Sequence, residues 1–246
     1  MRRSLLRAFP EGARLLELGG GTGEDALALA RQGRRVHLTD GSPEMVAHAE
    51  QKVRTAELTG FVACERLSLE ELEAFAAARQ TAHQPLFDGC FSNFASLNCV
   101  EDLGGVARGL SALLHETARA QLVVFGPCSP GEVATLLLKG RFRSAFRRFS
   151  RRPAAARVAG HTFTVSYPAP AAYARSFAPW FRLEHIRGIG VLVPPSSAEP
   201  FISRLPGLLA LLEAGDRVLS APLALLGDHV LLDFVRTDAP AAAGRS

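Results

Sequence analysis

The chain has 246 residues, 48% hydrophobic and 21% charged, the make-up of a globular protein long enough to bury a substantial core. No run of about eighteen uninterrupted apolar residues occurs, because residues 218–235 are broken by Pro222, Gly227, Asp228 and His229, so no membrane span is expected. The net charge of +4 is unevenly placed: residues 1–120 hold 13 Lys and Arg against 16 Asp and Glu, and residues 121–246 hold 15 against 8.

Residues 13–18 form a short apolar run that predicts a first strand. A helix over residues 24–31 follows, with Ala26, Leu27, Leu29 and Ala30 on its apolar side and Gly33 just past its end. Residues 36–40 predict a second strand, and Ser42-Pro43 the N-cap and first position of a helix running to about Thr55. A weak third strand (61–64), an acidic helix (69–79) and a fourth strand (87–93) come next. A helix over 103–115, interrupted by Gly104, Gly105 and Gly109, leads to a fifth strand at 121–125. Strand alternating with helix from 13 to 125 predicts a parallel, doubly wound α/β sheet with right-handed crossovers.

After Gly126-Pro127 the pattern changes. Residues 139–157 carry eight basic residues and no acidic one. Among them Phe142, Phe146 and Phe149 recur at spacings of four and three, which predicts an amphipathic helix with its rings buried and its arginines outward. Residues 161–167 alternate like an edge strand or hairpin arm, 181–189 predict a strand, 198–213 a helix and 229–236 the last strand. The expected fold is a Rossmann-like, mostly parallel seven-stranded sheet with helices on both faces and an insertion between strands five and six. Residues 1–126 form its cofactor-binding half, 127–180 an insertion capping the substrate site, 181–237 the C-terminal part of the same sheet and 238–246 a disordered tail.

The most informative segment is Glu17-Leu18-Gly19-Gly20-Gly21-Thr22-Gly23-Glu24-Asp25, directly behind the first strand, with Asp40 closing the second. A glycine turn there lets backbone approach a ligand closely, and the helix behind it presents free N–H groups, the arrangement that holds an adenosine-containing cofactor. Dinucleotide enzymes place a third glycine where this chain has Glu24, followed by Asp25, and two carboxylates at a helix N-terminus repel a pyrophosphate. A cofactor without phosphate and with a cationic centre fits better.

The string Glu17-x-Gly19-x-Gly21-x-Gly23 resembles motif I of the class I S-adenosylmethionine-dependent methyltransferases, and Asp40-Gly41-Ser42-Pro43-Glu44-Met45 resembles the D-x-S-x-x-M segment of their type 11, ubiquinone-biosynthesis-like, small-molecule group. The likeness extends to Phe87-Asp88-Gly89-Cys90-Phe91-Ser92-Asn93 and covers about residues 13–125. It implies S-adenosylmethionine as cofactor, with Gly19, Gly20, Gly21 and Gly23 lining its methionine part and Glu17 supporting the loop. It further implies that Asp40 takes the ribose, that Gly41 and Met45 flank the adenine beside Ser68, and that Asn93 stands where the crevice opens. Relatives usually carry tens of residues before the first strand, including a helix that closes over the cofactor. About a dozen precede it here, so either the start codon is misplaced or the pocket is expected to be more open.

Methyl transfer is an in-line displacement, so the site must align a nucleophile and exclude water. Asn93 and His161 are the candidate catalytic residues, His161 as a general base whose ordinary pKa lies near neutrality, with Ser96, Asn98 and Tyr167 as further polar candidates. Asp228-His229, before the last strand, reads as a turn. The acceptor is expected to be a small molecule or lipid-like, and the basic segment leaves open an anionic acceptor and a peripheral membrane contact. Nucleic acid is disfavoured: Asn93 is followed by Phe94-Ala95-Ser96 and not by the Pro-Pro-aromatic motif of amino-group methylators. A non-catalytic binding or regulatory protein on the same fold is one alternative, and an NAD-linked oxidoreductase a weaker one. Cys64, Cys90, Cys99 and Cys128 show no C-x-x-C spacing and are expected to be buried reduced thiols, and no metal site is expected. The start of the chain lacks the long apolar stretch of a signal peptide, which points to the cytoplasm.

Overall fold

The apolar run before the glycines becomes strand β1 (Arg14–Leu18), buried from Leu15 onward, in a computed structural model that describes residues 1–93, 95–149, 154–158, 161–193 and 206–237. Strand β1 sits inside a seven-stranded sheet ordered β3 (Val62–Arg66), β2 (Arg35–Asp40), β1, β4 (Phe87–Ser92), β5 (Leu114–Phe125), β9 (His229–Arg236) and β8 (Phe181–Ile189). The pairs β3–β2, β2–β1, β1–β4 and β4–β5 are parallel, and β9 runs antiparallel to both its neighbours. The order reverses between β1 and β4, and a crevice opens at such a switch point beyond the carboxyl ends of the strands.

Alternate residues of these strands feed two cores. Leu5 of α1 (Arg2–Ala8), Leu27 and Leu29 of α2 (Glu24–Ala30) and Val53 of α3 (Pro43–Thr55) pack with Leu15, Leu38 and Phe91. On the other face Leu72 of α4 (Leu72–Thr81), Leu110 of α5 (Leu103–Leu113) and Tyr173 and Phe177 of α8 (Pro170–Phe177) pack with Leu16, Leu18 and Phe234. Helix α3 starts where the sequence says it should: the Ser42 hydroxyl accepts from the Met45 N–H at 3.2 Å, Pro43 takes the first position, and Lys52 and Arg54 fall in the last turn. The glycines of α5 also have a reason. A Cβ on Gly109 would stand 2.8 Å from the Leu72 Cβ and 2.9 Å from its carbonyl carbon, so only glycine admits α4 this closely.

Three helices escape the sequence pattern: α1, α6 (Pro130–Leu138) and α8. Strand β5 begins at Leu114 and not at 121, because Leu114 already pairs with Phe87 ahead of an irregularity in the β4–β5 register. Residues 161–167 contribute strand β7 (His161–Val165), which pairs antiparallel with β6 (Ala154–Val158) in a separate hairpin. The expected helix at 198–213 is observed as α9 (Pro206–Leu219), while 198–205 and the tail 238–246 lie outside the described residues. Tyr173 and Phe177 place the last helix before β8 in the main core, so residues 170–177 are structurally part of the sheet domain.

The basic segment departs most from expectation. Among the described residues no continuous amphipathic helix forms; residues 139–149 make only α7 (Phe142–Ala145) and a 3-10 turn at Arg147–Phe149. Phe142, Phe146 and Phe149 are 64%, 53% and 57% exposed, whereas Arg148 is 6% exposed. The inversion has a cause. Arg148 donates from Nε to Glu132 Oε2 at 2.7 Å and from Nη2 to Asp228 Oδ1 at 2.6 Å. Its Nη1 donates to the carbonyls of Gly126 and Asp228 at 3.0 and 2.7 Å, and the guanidinium lies 5.6 Å from the ring centroids of both Phe125 and Tyr167. Guanidinium, with five donors in a flat fork, satisfies this many acceptors at once and stacks on rings, which a helical face of phenylalanines cannot do. Asp228, read as a turn residue, is half of this clamp. Burial alone would raise its pKa, but the hydrogen bond from His229 and the Arg148 charge hold it below the ordinary aspartate range.

Candidate active site

The loop after β1 turns on left-handed glycines: φ is 61° at Gly19, 55° at Gly21 and 80° at Gly23. The Gly23 N–H donates to the Gly20 carbonyl, and the Gly20 N–H to the Thr39 carbonyl, each at 3.0 Å, which ties the loop to β2. A Cβ on Gly19 would meet the Ser96 Cβ at 2.6 Å, and one on Gly20 would meet the Leu38 Cγ at 2.7 Å and the Glu17 Cδ at 2.9 Å. A Cβ on Gly21 meets nothing within 4 Å. The loop is thus packed tight underneath and open at Gly21, the shape of a ligand cradle.

Asp40 ends β2 beside it. Its Oδ2 accepts the Gly21 N–H at 2.8 Å and its Oδ1 the Ser42 N–H at 2.9 Å, leaving about half of the lone-pair sites of a carboxylate free. The Asp40 carbonyl accepts the Leu67 N–H at 3.0 Å, and a Cβ on Gly41 would lie 3.7 Å from that of Ser68. Gly41 and Ser68 therefore face each other across the carboxyl ends of β2 and β3. The Ser68 N–H donates to the Glu71 carboxylate at 2.9 Å, and Met45 stands half-buried in the first turn of α3.

Glu17 is fully buried beneath the loop, and neither of its carboxyl oxygens has a hydrogen-bond partner. Burial first, then the charges of Asp25 and Asp40, pushes its pKa well above the usual carboxylate range. The folded chain therefore keeps this proton to a higher pH than the unfolded chain does. Stability accordingly falls as pH rises above the unfolded value of about 4.3, and goes on falling until the folded carboxyl ionises. Glu17→Gln, which carries no such proton, is expected to flatten this slope between about pH 5 and pH 8 and to be the more stable protein at the upper end. Urea unfolding of both proteins at several pH values checks it; parallel curves would show Glu17 ionised in the fold.

The two carboxylates at the start of α2 prove to be paired. Asp25, nearly buried, accepts from Arg2 Nε at 2.8 Å and from the Asn93 amide, and Glu24 pairs with Lys52 at 2.6 Å. Their repulsion of a pyrophosphate is therefore weaker than bare charges imply. Helix α1 precedes β1, and Arg2 ties it to α2, the helix behind the loop. Asn93 lies at the carboxyl end of β4 as expected, with its amide held by Asp25. Beyond Asn93, Ala95 takes a left-handed φ of 55°, and Ser96, whose hydroxyl lies 2.9 Å from that of Ser92, is turned against Gly19.

Asn98 is a structural clamp and not a free polar group. Its Oδ1 accepts the Phe125 N–H at 2.9 Å and its amide donates to the Ser166 carbonyl at 2.8 Å, fastening the segment after β7 to the end of β5. Tyr167 accepts from Arg147 Nε at 3.2 Å. His161 opens β7, and its side chain lies outside the described residues. Cys90 is buried but Cys99 is exposed, and among the described residues no cluster could hold a metal ion.

A sequence-family model described as "Methyltransferase domain" matches residues 15–117, from β1 into β5. Residues 15–117 thus resemble a methyltransferase domain. The fold is shared with solved S-adenosylmethionine-dependent methyltransferases. An S-adenosylmethionine-dependent methyltransferase from Mesorhizobium loti superposes with a TM-score of 0.58 at 19% identity, over 96% of this chain and 95% of that one. The CcbJ methyltransferase from Streptomyces caelestis gives 0.61 at 12% identity over 96% and 94%, and geranyl diphosphate C-methyltransferase from Streptomyces coelicolor A3(2) gives 0.56 at 12% over 96% and 77%. No curated protein matches the sequence. Within the matched region the structure brings together Glu17, the glycines, Asp40, Gly41, Ser68 and Asn93. Sequence reasoning missed Arg2, which lies far from the motif in the chain and carries no local signal; Ser96, named as a polar candidate, packs against Gly19.

Proposed function

We propose that the chain is an S-adenosylmethionine-dependent methyltransferase acting on a small-molecule or lipid-like acceptor. One juxtaposition carries this: the left-handed glycine loop, Asp40 and the segment after β4 meet at the switch point between β1 and β4. The residues fit the cofactor. Gly21 leaves open the space a ligand needs, Asp40 retains acceptor capacity for ribose hydroxyls, and Glu17 places an unpartnered carboxyl under the loop. When bound, S-adenosylmethionine supplies an electrophilic methyl group on a sulfonium.

In this reading Gly19, Gly20, Gly21 and Gly23 hold the methionine part, while Gly41, Met45 and Ser68 border the adenine. Asn93 positions the acceptor at the crevice and His161 takes the proton a hydroxyl or amine acceptor must lose. Neutral imidazole suits that task near pH 7. The neighbour from Streptomyces coelicolor was solved with geranyl diphosphate, an anionic lipid-like compound, and the basic cap here suits an anionic acceptor of that class. No helix among the described residues is long and apolar enough to cross a membrane, which agrees with a cytoplasmic enzyme.

A non-catalytic reading draws on one observation, that Asn93 and Asn98 both commit their amides to other parts of the fold. Incubation with S-adenosylmethionine labelled in its methyl group, together with a lipid and metabolite extract, separates the two. Label is expected in an extractable product, and Asp40→Ala, which loses both ribose contacts and the tether of Gly21, is expected to lower cofactor affinity by about 1–3 kcal/mol, or roughly five- to 150-fold. Cofactor binding with no transfer to any fraction would favour the non-catalytic reading.

A further inference from the structure

The cap leaves its apolar side uncovered. Leu138, at the end of α6, is 90% exposed, and Phe142, Phe146 and Phe149 are each more than half exposed, with the last two rings 6.2 Å apart. Large apolar residues exposed singly are ordinary, but four of them between residues 138 and 149 form a patch. The rings are not outside for want of an anchor. Arg148, between Phe146 and Phe149, fixes the register of the segment through Glu132 and Asp228, with the rings turned away from the sheet. The surroundings are of one sign. No Asp or Glu occurs between Glu132 and Glu184, ten Lys and Arg fall in that interval, and Glu132 is itself bound to Arg147 and Arg148.

We propose that this face of the cap docks on an anionic lipid bilayer. The rings of Phe142, Phe146 and Phe149 and the Leu138 side chain enter the boundary between headgroups and acyl chains, and the arginines around them, Arg141 included, meet lipid phosphates. A second copy of the chain fits the face poorly, because two such faces would set like charges against each other. The cap is tied to the carboxyl end of β5 through Arg148 and to the segment after β4 through Asn98. A docked cap therefore brings the mouth of the crevice to the membrane. The docking stands on the surface itself; that the acceptor is reached from the bilayer rests on the methyltransferase reading.

Flotation of the full chain with vesicles tests it, one set containing phosphatidylglycerol in phosphatidylcholine and the other phosphatidylcholine alone. The chain is expected to float with the anionic set, less with the neutral one and less again at high salt. The triple variant F142S/F146S/F149S is expected to lose at least about tenfold in vesicle partitioning while keeping its melting temperature and its affinity for S-adenosylhomocysteine. Should the triple fail to fold, Phe142→Ser alone carries the same comparison. A chain that stays soluble with anionic vesicles, or a triple variant that floats as well as the parent, overturns the proposal. So does a dimer, seen by sedimentation velocity, that the triple variant dissolves. Flotation without any binding of S-adenosylhomocysteine would leave the docking in place and remove the methyltransferase reading.

Discussion

Arg148→Met is expected to destabilise the protein by about 3–5 kcal/mol, which in a chain of this size lowers the melting temperature by roughly 10 °C. The side chain of Arg148 is 4% exposed, and those of its partners Glu132 and Asp228 are 10% and 19% exposed. Removing the guanidinium takes one ion-pair partner from each of two poorly solvated carboxylates, leaving Glu132 with Arg147 and Asp228 with His229. It also takes a donor from the carbonyls of Gly126 and Asp228, of which the second keeps the Gly126 N–H. A surface ion pair would be worth only a fraction of that. The double change Glu132→Gln with Asp228→Asn, made on top of Arg148→Met, removes the poorly compensated charges, though also their pairs with Arg147 and His229, and is expected to recover part of the loss. Calorimetric melting of the three proteins checks this, and a shift of under about 1 kcal/mol in the single variant would mean that the cap is not clamped to the sheet.

Gly19→Val is expected to lose stability and cofactor binding together. The position has a φ of 61°, where a side-chain-bearing residue is strained by about 1–2 kcal/mol and a β-branched one by more. Its Cβ would also stand 2.6 Å from that of Ser96, and overpacking of this kind costs about 1–3 kcal/mol. Gly21→Ala is the informative companion. A Cβ there meets no protein atom within 4 Å, so only the strain of the left-handed backbone is added and the fold survives. The same methyl enters the space reserved for a ligand, so binding is expected to fall more than stability does. Titration and urea unfolding of both variants separate the effects. If Gly21→Ala bound S-adenosylhomocysteine as the parent does, the cradle would lie elsewhere.

What the sequence discloses here follows the range of each interaction. Glycine turns, the Ser42 cap and the apolar alternation of the strands act over a few residues, so β1, α3 and the parallel, doubly wound character of the sheet were legible from 13 to 125. The glycines of α5 were visible as an anomaly, and for Gly109 Leu72 of the neighbouring helix supplies the reason. The cap was misread because its deciding contacts are distant. Arg148 finds Glu132 sixteen residues away and Asp228 eighty residues away, and these outweigh the helical spacing of Phe142, Phe146 and Phe149. At the site, Glu17, the loop and Asp40 were found from their motif. Arg2 reaches the same place from α1, and one-dimensional spacing holds no trace of that; Ser96 was named from its position after the fourth strand, but not its contact with Gly19.

The central claim is that the loop from Gly19 to Gly23, with Asp40, holds an adenosine cofactor bearing a sulfonium or thioether and no phosphate. Calorimetric titration of the chain with S-adenosylhomocysteine and, separately, with NAD tests it most directly. Saturable binding of S-adenosylhomocysteine, weakened about fivefold or more by Asp40→Ala and not reproduced by NAD, is the predicted result. Binding of NAD with no response to S-adenosylhomocysteine would contradict it.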